Sequence, residues 1–302
     1  MRFLMLAALL PGLYWDHGTE TAGRLRGAGI LRIYVPAARV DEWRAAGLMA
    51  TEFTPSPPRC KEAEAPRVDM RMNVASATTA PWIIANGWKF QRMPGGTWCY
   101  QTPAGGASLA AAEAYAYAVD AIVTPADQDV DEFARMLAFL RHLDRPPMRG
   151  MANIGVVDDG SESTAEVLNL LARRNLLFRV LMAPDPQFEL NVTPKEVADP
   201  YEYATELRRK LGDAHRWVRL YGSEVVLARL TGDGPRARLH LLNYSHRPVL
   251  GLRVRVRGEW KLESMAIYGY DKAAAQEFGL RDGGTEFTVA EMGPYAVIDL
   301  QK

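Results

Sequence analysis

The pattern of apolar residues changes near residue 214, and this change limits the folds open to the chain. Before residue 212, short apolar runs alternate with helical patterns: "ILRIYV" (30–35) predicts a buried strand, and "ASLAAAEAYAYAVD" (107–120) predicts a helix. From residue 216 onward, runs such as "RLHLL" and "LRVRVR" alternate apolar and polar residues and are separated by glycine-rich turns. We therefore expect an α/β region followed by an antiparallel β-sandwich of roughly 85 residues.

Residues 151–184 form the clearest unit of the α/β region. An apolar strand (153–157) leads through the acidic turn "DDGS" into an amphipathic helix (162–174), and a second strand (176–182) follows. A strand, helix and strand within about 30 residues are typical of a parallel, right-handed crossover.

The predicted division is a barrel-like α/β region over residues 14–214 and a β-sandwich over 215–302. The residues before 150 have room for about five strands, fewer than the eight of a closed barrel. Either residues 151–212 complete one irregular barrel, which is the favoured alternative, or they form a separate doubly wound unit beside a reduced barrel. The proline-rich stretch "EFTPSPPRCKEAEAPR" (52–67) is interpreted as a surface loop or linker, and "MRMNVASA" (70–77) as a strand.

Charge and motifs exclude several classes of function. The 36 Lys and Arg residues equal the 36 Asp and Glu residues, so no basic field favours nucleic acid as a partner. Phosphate-binding glycine motifs and zinc-ligand spacings are missing from the sequence, so we predict neither a cofactor nor a metal site. No apolar run reaches the length of a transmembrane segment. Cys60 and Cys99 allow one disulfide, whose geometry a sequence does not test. The oligomeric state is left open.

The first 13 residues, "MRFLMLAALLPGL", have the length and composition of a signal peptide core, although no small-residue cleavage pattern follows. This interpretation predicts a secreted or periplasmic protein. The alternative is a buried first strand, which predicts a cytoplasmic one.

Candidate site residues follow from the rule that ligands of parallel α/β folds bind at the carboxyl ends of the strands. Asp16 and His17 come after the first predicted strand and combine a carboxylate with an imidazole, the groups of acid–base chemistry near neutral pH. Neighbouring residues on a strand point to opposite faces, so joint action requires that the turn has already begun. The alternative is that one of this pair, or Thr19, caps the next helix. We favour Asp16 as a ligand group and Thr19 as a cap, and Asp127, Asp129 and Asp131 also follow a predicted strand.

Two further stretches carry candidates. Asp158 could bind a metal or sugar hydroxyls, but a helix cap and first-turn charge are the favoured role of its turn. The stretch "TTAPWIIANGWKFQRMPGGTWCY" (78–100) is rich in aromatic rings, which either stack on sugars or fill a core. The predicted substrate-binding residues, besides His17, are Asn73, Trp82, Asn86, Trp88, Trp98 and Tyr100.

The segments "WDHGTETAGRLRGAGILRIYVP", "MNVASATTAPWIIANGWKF", "NIGVVDDGSESTAEVLNLLARRNLLFRVL" and "EMGPYAVIDL" resemble a group of exported, bacterial glycoside-hydrolase-like proteins of uncharacterised activity. The resemblance implies an irregular or reduced TIM-barrel-like region, a doubly wound unit similar to class I glutamine amidotransferases without their catalytic residues, and a C-terminal β-sandwich.

For function, the resemblance implies a carbohydrate-active protein that acts on or binds a glycan at the carboxyl ends of the α/β strands. Glycosidases use two carboxylates across the sugar, and Asp16 and Asp158 are the candidates for catalysis. The alternative is a non-catalytic exported protein that binds a sugar or a partner with the same cleft. A third interpretation keeps the architecture purely structural.

Overall fold

The computed structural model describes residues 10–70, 81–143 and 147–302. The strands within these ranges are β1 (Gly12–Tyr14), β2 (Arg32–Val35), β3 (Met49–Glu52), β4 (Lys61–Ala63), β5 (Arg67–Met70), β6 (Pro81–Ile84), β7 (Thr97–Gln101), β8 (Asp120–Thr124), β9 (Arg149–Gly150), β10 (Ile154–Val157), β11 (Phe178–Leu181), β12 (Leu190–Val192), β13 (Val218–Tyr221), β14 (Val226–Gly232), β15 (Arg236–Asn243), β16 (Val249–Arg257), β17 (Lys261–Ile267), β18 (Ala275–Arg281), β19 (Gly284–Met292) and β20 (Tyr295–Gln301). The helices are α1 (Ala22–Gly27), α2 (Val40–Ala45), α3 (Gly87–Arg92), α4 (Ala107–Ala116), α5 (Val130–His142), α6 (Glu162–Arg173) and α7 (Pro200–Leu211).

The chain divides into two compact units. The first combines Met1–Arg67 with Pro94–Pro146, and the second combines Val68–Met93 with Pro147–Lys302.

The first unit is built on a six-stranded parallel sheet with the strand order β3-β2-β1-β8-β7-β4. Its central strands are apolar, and Leu13 of β1 is in register with Ile33 of β2 and Val123 of β8, all of them buried. Helix α2 packs on β3, and helix α4 packs on β8 and on α5. In the part of the chain that the structure describes, β3 and β4 remain unpaired with each other at the two edges of the sheet. The barrel-like region is therefore an open parallel sheet there, and no closed barrel forms.

The stretch 52–67, predicted to be a loop or linker, contains the edge strand β4. Its sequence, Lys-Glu-Ala, is too short and too polar to be recognised as a strand. Strand β4 lies at the edge of the sheet and pairs along one side only, a position where charged residues are common. Cys60, just before β4, forms a disulfide with Cys99 of the neighbouring β7, with 5.8 Å between the two Cα atoms. This bond settles the question that the sequence left open about the two cysteines.

Three other predicted segments have different outcomes in the structure. The helix predicted over 107–120 ends at Ala116, because the chain turns at Ala118 with a positive φ of 52° and enters β8. Gly12 and Leu13, inside the predicted leader segment, belong to the central strand β1. All but the first residue of the strand predicted over 70–77 lies outside the described residues.

The second unit begins with a smaller α/β arrangement. Strands β11, β10 and β12 form a parallel sheet of their own, as the crossover pattern predicted for β10 and β11. Helices α6 and α7 pack against each other, and their core includes Ile154, Leu168 and Leu207. Within the described ranges this sheet shares no strand pairing with the six-stranded sheet. The described residues thus show no closed barrel, and the assignment of residues 151–212 to the barrel or to a separate unit stays a prediction.

The remainder of the second unit is the predicted β-sandwich. A four-stranded sheet, β13-β16-β19-β18, and a five-stranded sheet, β17-β20-β15-β14-β9, are antiparallel and share one apolar core. Val254 and Phe287 enter that core from the first sheet, and Leu239 and Ile298 from the second. Strand β9, which pairs with β14, precedes the predicted domain boundary and is too short to read from its sequence. No helix in residues 10–70, 81–143 and 147–302 is both long and apolar enough to cross a membrane.

Candidate functional site

Three adjacent strands of the first unit end at the same edge of the sheet. In the order β2-β1-β8, the chain leaves β1 into Asp16 and His17, leaves β2 toward Arg39, and leaves β8 toward Asp127. We call these four residues the rim cluster. Parallel strands bring their carboxyl ends together, so residues far apart in sequence become neighbours at this edge.

Asp16 is held by a cation from the neighbouring strand end. Its Oδ1 accepts a hydrogen bond of 3.3 Å from Nη1 of Arg39, and 53% of the Asp16 side chain is exposed. Arg39 lies in the single 3-10 turn that precedes α2, and its Nε also donates to Glu42. The hydrogen bond to Glu42, with a smaller contribution from Asp16, raises the pKa of Arg39. A carboxylate held in this way keeps free lone pairs for hydroxyl groups of a ligand.

His17 makes a separate contact, with the carboxylate of Asp127. Its Nε2 lies 3.0 Å from Oδ1 of Asp127, and its ring lies beside that of Trp15 with 4.2 Å between the ring centroids. Because Asp16 and His17 have different partners, they do not form a hydrogen-bonded dyad with each other. This agrees with the expectation that neighbouring residues at a strand end point in different directions.

The turn after His17 differs from its predicted form. Gly18 precedes the 3-10 turn Thr19–Thr21, and no side-chain capping bond is formed there. The stabilising hydroxyl is that of Thr21, which donates to the carbonyl oxygen of Gly18 at 2.7 Å and accepts from Nε1 of Trp15 at 3.0 Å. Thr19 is therefore not the cap; Thr21 fixes the buried Trp15 on which His17 rests.

Tyr14 is the last residue of β1, two positions before Asp16. Its side chain is 9% exposed, and burial raises the pKa of its hydroxyl, with the negative charge of Asp16 adding to this and Arg39 opposing it. The cluster thus combines carboxylates and a guanidinium, which bind hydroxyl groups, with an imidazole, which can transfer a proton. Arg39 and Tyr14 were not selected from the sequence. Applying the strand-end rule to "ILRIYV" as well would have found Arg39.

Asp158, the second predicted catalytic residue, belongs to the second unit. Both of its oxygens are bound by Arg92: Nε donates to Oδ2 at 2.8 Å and Nη2 donates to Oδ1 at 3.1 Å. The backbone N–H of Gly160 also donates to Oδ1 at 2.9 Å. Ser161 is the N-cap of α6, with Oγ accepting from the N–H of Thr164. The structure therefore gives this turn the capping and packing geometry that the sequence favoured for it.

The predicted aromatic residues are divided between the two units. Trp98 and Tyr100 of β7 are each 1% exposed in the core of the first unit, so a sugar ring has no face to stack on. The hydroxyl of Tyr100 donates to the buried Glu113 at 2.8 Å. Packing in the core, the other role weighed for these rings, is the one they have here.

Trp82 and Trp88 lie partly buried against the core of the smaller α/β sheet in the second unit. The guanidinium of Arg173 lies 3.1 Å from the centroid of Trp82 and covers one of its faces. Asn86 is fully buried at the start of α3, and Asn73 lies outside the described residues. Of the residues predicted for the site, the structure brings Asp16 and His17 together at the rim cluster.

No cluster of three or more histidine, cysteine or acidic side chains suited to a metal ion occurs in the described residues.

Comparison with known proteins places distant structural neighbours among the glycoside hydrolases. Alpha-L-fucosidase isoenzyme 2 from Paenibacillus thiaminolyticus matches with a TM-score of 0.48 and 10% identity, over 68% of this chain and 60% of that chain. The GH42 β-galactosidase of G. stearothermophilus matches with a TM-score of 0.37 and 8% identity, over 94% of this chain and 60% of that chain. A maltogenic α-amylase from Thermotoga neapolitana matches with a TM-score of 0.25 and 10% identity, over 99% and 100% of the two chains.

The chain thus spans 60% of the length of the fucosidase and galactosidase structures that it matches. Likenesses this weak carry no inference about activity. No protein-family model matches the chain, and no curated protein matches its sequence.

Proposed function

We propose that the chain is a glycoside-hydrolase-like, carbohydrate-active protein that binds a glycan at the rim cluster. The observation that carries this proposal is the convergence of Asp16, His17, Arg39 and Asp127 from three adjacent strand ends onto one exposed edge. Sugar hydroxyls both donate and accept hydrogen bonds, and the cluster offers carboxylate acceptors beside a guanidinium donor. Charge-assisted hydrogen bonds of this kind are about twice as strong as neutral ones.

The same cluster supplies the groups that hydrolysis would need. A glycosidase places two carboxylates on either side of the scissile bond, and Asp16 and Asp127 are the two carboxylates of the cluster. In this proposal Asp127 takes the place first considered for Asp158, since Arg92 occupies both oxygens of Asp158. His17, which contacts Asp127, is the group that would transfer a proton.

The first experiment measures glycan binding. A panel of plant and bacterial polysaccharide fragments is screened against the parent protein, and the affinity of each hit is measured by calorimetry. The variants Asp16→Asn and Asp127→Asn keep the side-chain shapes but remove the charges. We expect each to weaken binding about tenfold, or ~1.4 kcal/mol.

The matched control is Asp41→Asn. Asp41 lies in α2 of the same unit with its side chain 99% exposed, outside the rim cluster. It should bind the panel as the parent does. If both cluster variants also retain the parent affinity, glycans do not bind at the rim cluster.

A second readout separates hydrolysis from binding alone. Release of reducing ends by the parent, lost in Asp16→Asn and Asp127→Asn, identifies an enzyme. Binding that the two variants lose, without release of reducing ends by the parent, identifies the non-catalytic alternative.

We also infer that the chain works outside the cytoplasm. The Cys60–Cys99 disulfide supports this, because such bonds persist in oxidising compartments and are rare in reducing ones. Cell fractionation with a thiol-blocking reagent tests the inference: protein in the exported fraction should be unlabelled. Finding the protein with two free thiols in the cytoplasm would contradict it.

A further inference from the structure

A cavity of about 300 Å³ lies at the amino-terminal ends of the strands of the six-stranded sheet. The starts of β1, β2 and β3 and the last turns of α5 surround it, and its apolar lining includes Leu31, Met49 and Leu137. This volume falls at the lower end of the range found for small-molecule sites, about 300–1,000 Å³. The cavity lies at the amino-terminal ends of the strands, whereas the rim cluster lies at their carboxyl ends.

Two unusually exposed apolar side chains border this cavity. Leu31 is 54% exposed and Met49 is 55% exposed. Among the described residues of the first unit, no other large apolar side chain is as open to solvent, and both line the same cavity. Apolar side chains grouped in this way around a concave surface are typical of a ligand-binding site.

Two cations line the same cavity, and neither forms an ion pair with a described residue. Arg32, at the start of β2, and Arg141, near the end of α5, both line it. No hydrogen bond or ion pair joins either of them to a residue in the ranges 10–70, 81–143 and 147–302. A guanidinium presents its donors in a planar fork that fits a carboxylate or a phosphate.

The hydroxyl of Tyr34 adds a neutral donor to this set. Tyr34 lines the cavity, and burial, together with the negative charge of Asp120, raises the pKa of its hydroxyl, while Arg32 opposes this. The hydroxyl therefore stays protonated and can donate a hydrogen bond. The carboxylate of Asp120 is itself bonded to the hydroxyl of Thr97.

We propose that this cavity binds a small amphipathic anion: a short apolar chain that ends in a carboxylate or a phosphate. The chain would lie against Leu31, Met49 and Leu137, and the head group would lie between Arg32 and Arg141. The apolar lining alone would accept any short chain, and the two unpaired cations select one that carries negative charge. This site is independent of glycan binding at the rim cluster.

The test titrates the full chain with sodium octanoate by calorimetry, below the concentration at which octanoate forms micelles. Octyl phosphate and octyltrimethylammonium carry the same chain with a different anion and with a cation. We expect both anions to bind and the cation to bind at least about tenfold more weakly. Hexanoate should bind more weakly than octanoate by roughly fourfold per methylene.

Variants locate the site. The double variant Arg32→Gln/Arg141→Gln should weaken octanoate binding about tenfold or more, and Met49→Gln should weaken it by removing apolar contact. The matched control is Arg135→Gln, which changes an arginine of the same helix with a 66% exposed side chain that pairs with Glu132. Arg135 does not line the cavity, so this variant should bind octanoate like the parent.

All substituted side chains are exposed at the surface, so thermal melting of each variant should match that of the parent and exclude unfolding as the cause. Three results would overturn the proposal. They are no octanoate binding up to millimolar concentration, equal affinity for the cationic and anionic probes, or unchanged affinity in the double arginine variant.

Discussion

At Gly12, strand β1 has no space for a side chain. A Cβ atom there would overlap the ring of Tyr34 on the neighbouring β2, lying 2.8 Å from its Cδ2 atom. The ring also packs edge-on against Phe53, with 5.7 Å between the centroids, so moving it disturbs a second contact. Overpacking of this kind typically costs between about 1 and 3 kcal/mol.

We therefore expect Gly12→Ala to lower the free energy of unfolding by about 1–3 kcal/mol, measured by urea denaturation. Gly23→Ala is the matched control, because Gly23 lies in α1 with no atom within 4 Å of an added Cβ. Alanine is favoured over glycine in a helix by about 1 kcal/mol, so the control should be as stable as the parent or more stable. Equal stability of the two variants would mean that the Tyr34 ring moves at no cost.

Asp159 provides a test of the turn that precedes α6. Its carboxylate accepts hydrogen bonds from the hydroxyl and the N–H of Ser161 and from the hydroxyl of Thr164, which lower its pKa from 3.8 to about 2. These bonds favour the charged form in the folded protein. Their contribution to stability is therefore complete above the unfolded-state pKa of 3.8 and is lost as the pH falls through about 2.

The carboxyl carbon of Asp159, followed by NMR during an acid titration, should show this low pKa. Replacing the donors, with Ser161→Ala or Thr164→Val, should raise it toward 3.8. Ser163→Ala is the control, since the hydroxyl of Ser163 donates to the carbonyl oxygen of Val197 instead. A pKa near 3.8 in the parent would contradict the bonding described.

For single residues, the sequence predicts at which end of a strand a residue lies better than it predicts whether the side chain is buried. The strand-end rule selected Asp16 and His17 because chain direction alone decides which end of a parallel strand carries the loop. It did not show that Trp98 would face the core. Composition does not distinguish the exposed rings of a glycine-interrupted stretch from the buried ones. The direction of the Trp98 side chain is fixed by the pairing of β7 with β8.

At the scale of elements, β4 has little strand propensity in its sequence, and a disulfide bond beside it ties it to the sheet. This strand pairs with β7 over three residues, Lys61–Ala63. The disulfide between Cys60 and Cys99 closes a loop across 39 residues of chain and so restricts the unfolded state. A bond over such a loop contributes about 4 kcal/mol in the chain-entropy model.

Reduction of the disulfide should therefore lower the free energy of unfolding by up to about 4 kcal/mol, measured by denaturation with and without reductant. The variant Cys60→Ser/Cys99→Ser should show the same loss without reductant and no further change when it is added. A parent protein whose stability does not respond to reductant, although its thiols become free, would show that β4 is held by its pairing alone.

The elements that could be predicted are those whose residues carry their own period. Helix α6 carries the helical pattern, strands β10 and β20 are apolar runs, and strands β15 and β16 contain the alternating stretches "RLHLL" and "LRVRVR". Strands β4, β9 and β12 have two or three residues each. A pattern this short has no period, so tertiary pairing decides its structure.

At the scale of the whole molecule, the change of pattern near residue 214 marks the start of the sandwich strands but not the division into units. The second unit includes residues 68–93, which the sequence places inside the first region, because α3 packs against α6. Strand β9 likewise joins the sandwich from residues 149–150. Contacts between segments distant in sequence have no local signature, so this part of the organisation required the structure.

The sandwich has an apolar core of its own, and this has a measurable consequence. Leu239 is fully buried in the sandwich core, and truncating such a leucine costs between about 2 and 5 kcal/mol. Leu239→Ala should therefore speed amide hydrogen exchange in β14, β15 and β20. Exchange in β1, β2 and β8 of the first unit should stay as in the parent, because their protection depends on the buried residues of the six-stranded sheet. Reduction of the disulfide should give the reverse map, with faster exchange in the first unit and an unchanged sandwich. If either perturbation speeds exchange equally in both units, the chain unfolds as one cooperative body and the sandwich does not unfold separately from the first unit.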